Sequence, residues 1–132
     1  AAERASPGEI SAACGFHAQF AAESAEADPD GAVALRLNKD LHFAVYKAAH
    51  MPNLLQIIDG LWLQVGPVIN LDLRASGRRL KEVEAHKHHA RLILALRAGD
   101  GAGARQALAD DIRAAADFIL ATGDLPFAGQ EG

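Results

Sequence analysis

Turn and capping signals divide this chain into stretches of about twenty residues, and that spacing is the strongest constraint on its fold. Proline, glycine or both occur in SPGE, DPDG, HMPN, RASG and AGDGAG. Between these signals alanine and leucine dominate and β-branched residues are sparse, a composition that favours helices over strands. Half of the 132 residues are hydrophobic, so the chain can bury a core of its own. The sequence therefore predicts an all-α domain.

Capping residues locate the starts of the predicted helices. The segment Ser6-Pro7-Gly8-Glu9 is typical of a helix start, because serine caps the helix, proline suits its first position and glutamate completes a capping box. Asp30 and Asp100 are expected to cap two later helices. The predicted helices cover residues 7–27, 31–50, 52–73 with a kink or break at Gly66-Pro67, 78–98 and 101–122. We expect an antiparallel bundle of about five to six helices with a central ligand or metal cavity.

The two ends of the chain differ from the rest. The opening AAERASPGE lacks methionine and has the character of a helix end, which suggests a fragment whose N-terminal part lies elsewhere. The closing GDLPFAGQEG is polar and rich in glycine, so residues 123–132 are expected to form a flexible tail. Residues 1–122 are expected to form one domain.

Charge and cysteine content argue against several classes of protein. The net charge is −4 and the isoelectric point is near 5.8, which is unlike the basic surface of a nucleic-acid-binding domain. Cys14 is the single cysteine and cannot form an internal disulfide, so we expect a reducing, cytoplasmic location. No apolar run approaches the ~20 residues that a membrane span needs, and no membrane association is expected.

The most informative residues are polar ones on helix faces that should be buried. Asn38 and His42 lie one turn apart on the second predicted helix, His89 lies on the fourth and Asp111 on the fifth, each among apolar neighbours. A buried carboxylate is unfavourable unless it is paired or coordinates a metal. Two imidazoles, a carboxylate and an amide oxygen suit a divalent transition metal. The pattern predicts a metal or polar ligand pocket.

A metal-free interpretation of the same residues stays open. A histidine on an apolar face is often a hydrogen-bonded core residue, and Asp111 is able to pair with His89 or an arginine without any ion. His86 is a second choice behind His89 as a ligand, because a helix points neighbouring side chains in different directions. His17 and His50 are expected at the surface or at helix ends.

Two motifs add a family resemblance. The segment LNKDLHFAVYKAAHMPNL contains Asn-x-x-x-His followed by Ala-x-x-x-x-Asn, and HARLILALRAGDGAGARQALADDI contains a histidine followed by Ala-x-x-x-Leu. In this order and separation they resemble the signatures of the FCD domain, the C-terminal effector-binding domain of FadR-subfamily GntR-type bacterial transcription regulators. The resemblance covers almost the whole chain, and it implies that residues 1–122 form a helical effector-binding domain.

The resemblance also implies a metal site. FCD domains commonly hold a divalent ion, zinc or nickel most often, through one Asp or Asn and three histidines. By position Asn38, His42 and His89 correspond to the first three of these ligands. Asp111 stands 22 residues after His89, where the third histidine is expected. This departure bears on which metal is bound rather than on the fold.

Effector and partners follow from the same resemblance. A small organic acid is the expected effector, and Arg36, Tyr46, His86 and Trp62 are the expected contacts, although Trp62 also suits the core or a subunit interface. We expect a homodimer that meets operator DNA only through a missing N-terminal winged helix-turn-helix domain, and no catalytic activity. Two alternatives remain: a non-haem metal enzyme with a two-histidine, one-carboxylate site, and a metal-free helical dimerisation module.

Overall fold

The predicted all-α fold is confirmed. The computed structural model describes the backbone of residues 1–73 and 78–122. It describes the side chains of residues 1–68 and 83–122. Within these ranges the helices are Pro7–Ala25 (α1), Gly31–Lys47 (α2), Pro52–Leu73 (α3), Arg78–Ala98 (α4) and Gly101–Thr122 (α5), and there is no strand. The predicted connection at 74–77 and the predicted tail at 123–132 lie outside the described residues.

Side-chain caps begin three of the helices as the sequence predicts. The Oγ of Ser6 accepts a hydrogen bond from the Glu9 amide at 3.3 Å, and the Glu9 carboxylate accepts one from the Ser6 amide at 2.8 Å. This reciprocal pair is a capping box, and it satisfies two donors that a helix start leaves without partners. Asp30 caps α2 by accepting from two first-turn amides, and Asp100 accepts from an amide in the first turn of α5 at 2.9 Å.

Helix ends deviate more from prediction than helix starts. α2 ends at Lys47 rather than at His50, and the three residues after it form a turn in which His50 has a φ of 54°. Of the kink or break predicted at Gly66-Pro67, the break does not occur, because α3 continues through Pro67 to Leu73. Proline removes one hydrogen bond of the helical ladder, and the turns on both sides are sufficient to keep the helix continuous.

The core lies where α1, α2, α4 and α5 meet. α4 packs against α5, and α1 packs against both α2 and α4. Leu41 from α2 and Leu92 from α4 are almost fully buried. The other members of this cluster are mostly alanines, which allow helices to approach closely: Ala13, Val45, Ile93, Ala95, Leu96, Ala104 and Ala107.

α3 differs from the other helices because it packs mainly against α2. It exposes large apolar side chains along its length: Leu54, Ile57, Leu61, Leu63 and Val65. Among the described residues, no helix combines the length and the apolar character that crossing a bilayer requires.

Candidate metal centre

Three side chains from three helices converge inside the bundle. Nε2 of His42, on α2, lies 2.9 Å from Oδ2 of Asp111 on α5, and Nε2 of His89, on α4, lies 3.5 Å from the same oxygen. The two imidazole rings are nearly perpendicular, at 76°, with centroids 5.4 Å apart. One ligand atom from each residue lies within 4.8 Å of the other two. Such a cluster has the size and the donor atoms of a site for one metal ion.

The cluster is shielded from solvent. The exposed fraction is 3% for His42 and 0% for His89, and the side chain of Asp111 is 12% exposed. Phe20, buried on α1, meets the His89 ring with the two ring centroids 5.0 Å apart. Electrostatic interactions are stronger in such surroundings than in water, so the charge of Asp111 acts strongly on both rings.

The imidazole nitrogens that face Asp111 lack well-formed hydrogen bonds. Nε2 of His42 and Nε2 of His89 are both buried without a hydrogen-bond partner. Both nitrogens are therefore close to the Asp111 oxygen, but neither ring is oriented so that an N–H group points at that oxygen. Buried polar atoms are nearly always partnered, and an orphaned one often marks the place of a water molecule or an ion. The donor set of two imidazoles and one carboxylate fits a divalent transition metal at this place.

Protonation in the cluster also suits metal binding. Burial acts to raise the pKa of Asp111, but the imidazoles of His42 and His89 outweigh it and hold the pKa well below its ordinary value. Burial lowers the pKa of His89, and Asp111 only partly opposes this effect. A metal site needs an ionised carboxylate and a neutral imidazole. Both conditions hold for these two residues near neutral pH.

Comparison with known families identifies the chain. The sequence model of the FCD domain matches residues 1–114. This chain belongs to the FCD domain family. The FCD domain is the regulatory, effector-binding C-terminal domain of GntR-family regulators, a class not typically catalytic. No curated protein matches the chain, and no solved structure matches it.

In this FCD domain, Asp111 rather than Asp110 points inward. Asp110 accepts hydrogen bonds from Gln106 at 2.6 Å and from Arg91 at 3.2 Å, in an exposed setting. Because consecutive residues on a helix point about 100° apart, an outward Asp110 leaves Asp111 facing the core. The helical phase predicted from the apolar pattern of α5 is therefore correct.

Two of the predicted effector contacts lie directly against His42. Nδ1 of His42 lies 3.1 Å from the Tyr46 hydroxyl, one turn further along α2. Burial raises the pKa of Tyr46 to about 12, and the charge of Asp111 acts in the same direction. Trp62, from α3, is partly buried with its ring centroid 6.0 Å from that of His42. Both residues thus adjoin the cluster without belonging to it.

His86 and His17 form a stacked pair beside the cluster. Their ring centroids are 5.0 Å apart with planes 19° from parallel, and His17 also meets His89 edge-on at 6.3 Å. The expectation that His17 lies at the surface or at a helix end is wrong. The sequence could have predicted this inward position, because His17 lies one turn after Ala13 and three residues before Phe20, and both of these residues are buried.

The remaining predicted residues stay predictions. Asn38 is partly buried one turn before His42 on α2, and Arg36 is exposed on the same helix. His50 is exposed at the end of α2 as expected, where Nε2 lies 3.2 Å from a Glu9 carboxylate oxygen.

Proposed function

We propose that this FCD domain is the sensor of a FadR-subfamily GntR-type regulator and binds a small carboxylate metabolite at a divalent metal ion. The observation that carries the proposal is the convergence of two buried, unpartnered imidazole nitrogens on one ionised carboxylate. A purely structural core would gain stability from apolar side chains at these positions. A ligand that the chain itself does not provide accounts for the arrangement.

His42, His89 and Asp111 would hold the ion, and Asn38 would add an amide oxygen from the turn before His42. Zinc or nickel is the expected metal, because imidazole is a preferred ligand of both. Bound there, the ion supplies a Lewis-acid position to which an organic acid can attach. Asp111 brings a negative charge where the family signature has a neutral histidine. We expect it to offset part of the positive charge of the ion.

The effector itself would lie beside this cluster. Tyr46 and Trp62 border His42, and His86 lies on the α1 side of His89 through its stack with His17. Arg36 is proposed as a cationic contact for a carboxylate. A phenol, an indole, an imidazole and a guanidinium together suit a small polar acid better than a long apolar chain.

Binding would act on DNA through a change in the arrangement of two subunits. We propose a homodimer, and the exposed apolar side chains of α3 are consistent with a protein interface. A ligand shifts such an equilibrium only as far as it prefers one arrangement over the other. Contact with operator DNA would belong to a winged helix-turn-helix domain N-terminal to this segment.

One observation favours a second candidate, a metal-free regulatory module. Asp111 lies within ion-pair distance of both His42 and His89, so a small rotation of the rings would let these three side chains hydrogen-bond to one another without an ion. In that case the buried polar cluster would serve only to fix the helix packing.

Metal analysis combined with a thermal-shift screen distinguishes the two candidates. The purified domain would be tested with zinc, nickel and manganese, each with and without a panel of small mono- and dicarboxylic acids. A ligand that binds only the folded state raises its apparent stability. We expect about one ion per chain and at least one acid whose shift requires the ion. No bound metal and no shift with any acid would favour the metal-free module.

A further inference from the structure

His42 presents its two ring nitrogens to two different partners. Nε2 faces the Asp111 carboxylate at 2.9 Å, whereas Nδ1 lies 3.1 Å from the Tyr46 hydroxyl. Tyr46 follows His42 by four residues on α2, a spacing that brings side chains together on one helix face. The other histidine of the cluster differs, because Nδ1 of His89 is buried without a hydrogen-bond partner.

A neutral imidazole has one N–H group and one lone pair, and the partner of one nitrogen decides where the proton resides. A metal ion on the Asp111 side needs the lone pair of Nε2. The proton must then be on Nδ1, which can donate it to the Tyr46 oxygen. Metal-bound histidines usually donate their second N–H in this way, and such donation orients the ring.

Resting on the metal site proposed above, we infer that Tyr46 is a positioning residue, which accepts the Nδ1–H of His42 in the metal-bound state and aims Nε2 at the ion. The hydroxyl is suited to this task because a phenol oxygen accepts a hydrogen bond through its lone pairs.

Packing fixes the hydroxyl in place. The Tyr46 ring meets the Phe43 ring edge-on, with centroids 5.6 Å apart, and meets His42 at 5.9 Å. Aromatic pairs at these separations are attractive. Phenylalanine at position 46 would keep these ring contacts and lose only the oxygen. The substitution therefore isolates the hydrogen bond from the packing.

The test compares Tyr46→Phe with the unmodified domain in two measurements. Nitrogen-15 NMR of the zinc-loaded protein reports the hydrogen bonding of the protonated Nδ1 of each histidine. Competition with a chromophoric chelator reports the affinity for zinc. We expect Tyr46→Phe to shift the His42 Nδ1–H signal and speed exchange of its proton with water, to leave the His89 signals unchanged and to weaken zinc binding about 10- to 100-fold.

Two further variants guard against a loss of fold. Ser24→Ala deletes another buried hydroxyl, on α1 and outside the cluster, and should change neither measurement. Tyr46→Gln replaces the ring but supplies an amide oxygen that can accept from Nδ1, so it should recover part of the zinc affinity lost in Tyr46→Phe. A merely structural role for Tyr46 predicts the reverse order, with the glutamine variant weaker than the phenylalanine variant.

The outcomes separate this inference from the proposed function. Unchanged His42 nitrogen signals in Tyr46→Phe would overturn the inference, whatever the zinc affinity. An unmodified domain that binds no zinc, nickel or manganese would overturn the proposed metal site itself, and with it the inference that rests on that site.

Discussion

Nε2 of His42 and Oδ2 of Asp111 lie 2.9 Å apart inside the bundle, although the two residues belong to different helices, α2 and α5. The carboxylate stands where the FCD signature that this chain resembles has a histidine. The substitution keeps a metal-binding donor in the cluster but changes its charge and its hardness. The consequences can be tested residue by residue.

Replacing Asp111 should change both the affinity for metal and the choice of metal. Asp111→Ala should weaken zinc binding by at least the roughly 10- to 100-fold loss that changes in outer-shell residues cause, because a direct donor is removed. Asp111→His should retain binding and raise the preference for zinc or nickel over manganese, since imidazole is a softer ligand than carboxylate. Calorimetric titration with each metal measures both effects.

Asp110→Asn is the matched control for these variants, because Asp110 occupies the neighbouring position and contacts Arg91 at the surface. It should bind zinc as the unmodified domain does. Equal losses of zinc affinity in the Asp110 and Asp111 variants would show that the overall negative charge of the domain, and not the cluster, governs zinc binding.

His42→Ala and His89→Ala should lower metal content and the response to organic acids together. Each removes one of the two nitrogens that face Asp111, and the effector is proposed to bind at the ion. Elemental analysis of the purified variants, followed by the thermal-shift screen, measures both quantities. His88→Ala removes the adjacent imidazole on α4 and should leave both unchanged. Full metal occupancy in the His42 and His89 variants would place the ion elsewhere.

Acidification should destabilise the metal-free domain in two steps. Burial holds the pKa of His89 below its ordinary value of about 6.5, and burial together with neighbouring charges does the same for His17. The unfolded chain therefore takes up protons first, and stability falls as the pH drops below about 6.5. Asp111 also has a lowered pKa, so its contribution is present above about pH 4 and is lost below it.

Urea unfolding between pH 7.5 and pH 3 measures this profile. His17→Gln should flatten part of the first step, because it removes one of the groups with a lowered pKa. A midpoint that rises on acidification from pH 7 to pH 5 would contradict the assignment of His89 as neutral in the folded protein.

His50→Gly should stabilise the domain. His50 has a φ of 54°, which glycine adopts readily and other residues adopt at a penalty. Its ion pair with Glu9 is exposed, and such pairs contribute little. We expect a gain of about 1 kcal/mol, within the usual penalty for a non-glycine residue in this conformation. Thermal unfolding measures the change.

His50→Ala is the control for this prediction, because it removes the ion pair and keeps a side chain in the left-handed conformation. It should be no more stable than the unmodified domain. If His50→Ala were more stable than the unmodified domain, relief of backbone strain would not explain a gain in stability in His50→Gly.

The isolated domain should not retard operator DNA. Its net charge is −4, and non-specific DNA affinity arises mainly from lysine and arginine neutralising phosphates. A gel-shift assay at low salt measures this, with the longer regulator that carries the proposed N-terminal domain as the positive control. Tight, salt-resistant binding by residues 1–132 would contradict the assignment of DNA contact to another domain.

The sequence was sufficient to place Asp111, but not His17, in relation to the site. For Asp111, the ring of apolar neighbours on α5 set the direction of the side chain, and the outward Asp110 agrees with it. For His17, the helical spacing from Ala13 and Phe20 also indicated an inward side chain. The stack with His86 depends on how α1 is rotated against α4, which periodicity along one helix does not specify.

The sequence by itself determined the helices and the side of each helix that turns inward. Capping hydrogen bonds and the 100° step per residue act within a few residues, so Ser6, Asp30 and Asp100 fixed helix starts without any distant partner. Only the tertiary structure decided which inward atoms meet. The approach of His42 and His89 to Asp111 depends on the relative rotation and separation of whole helices. Those quantities are set by packing summed over the entire core, which no local stretch of sequence encodes.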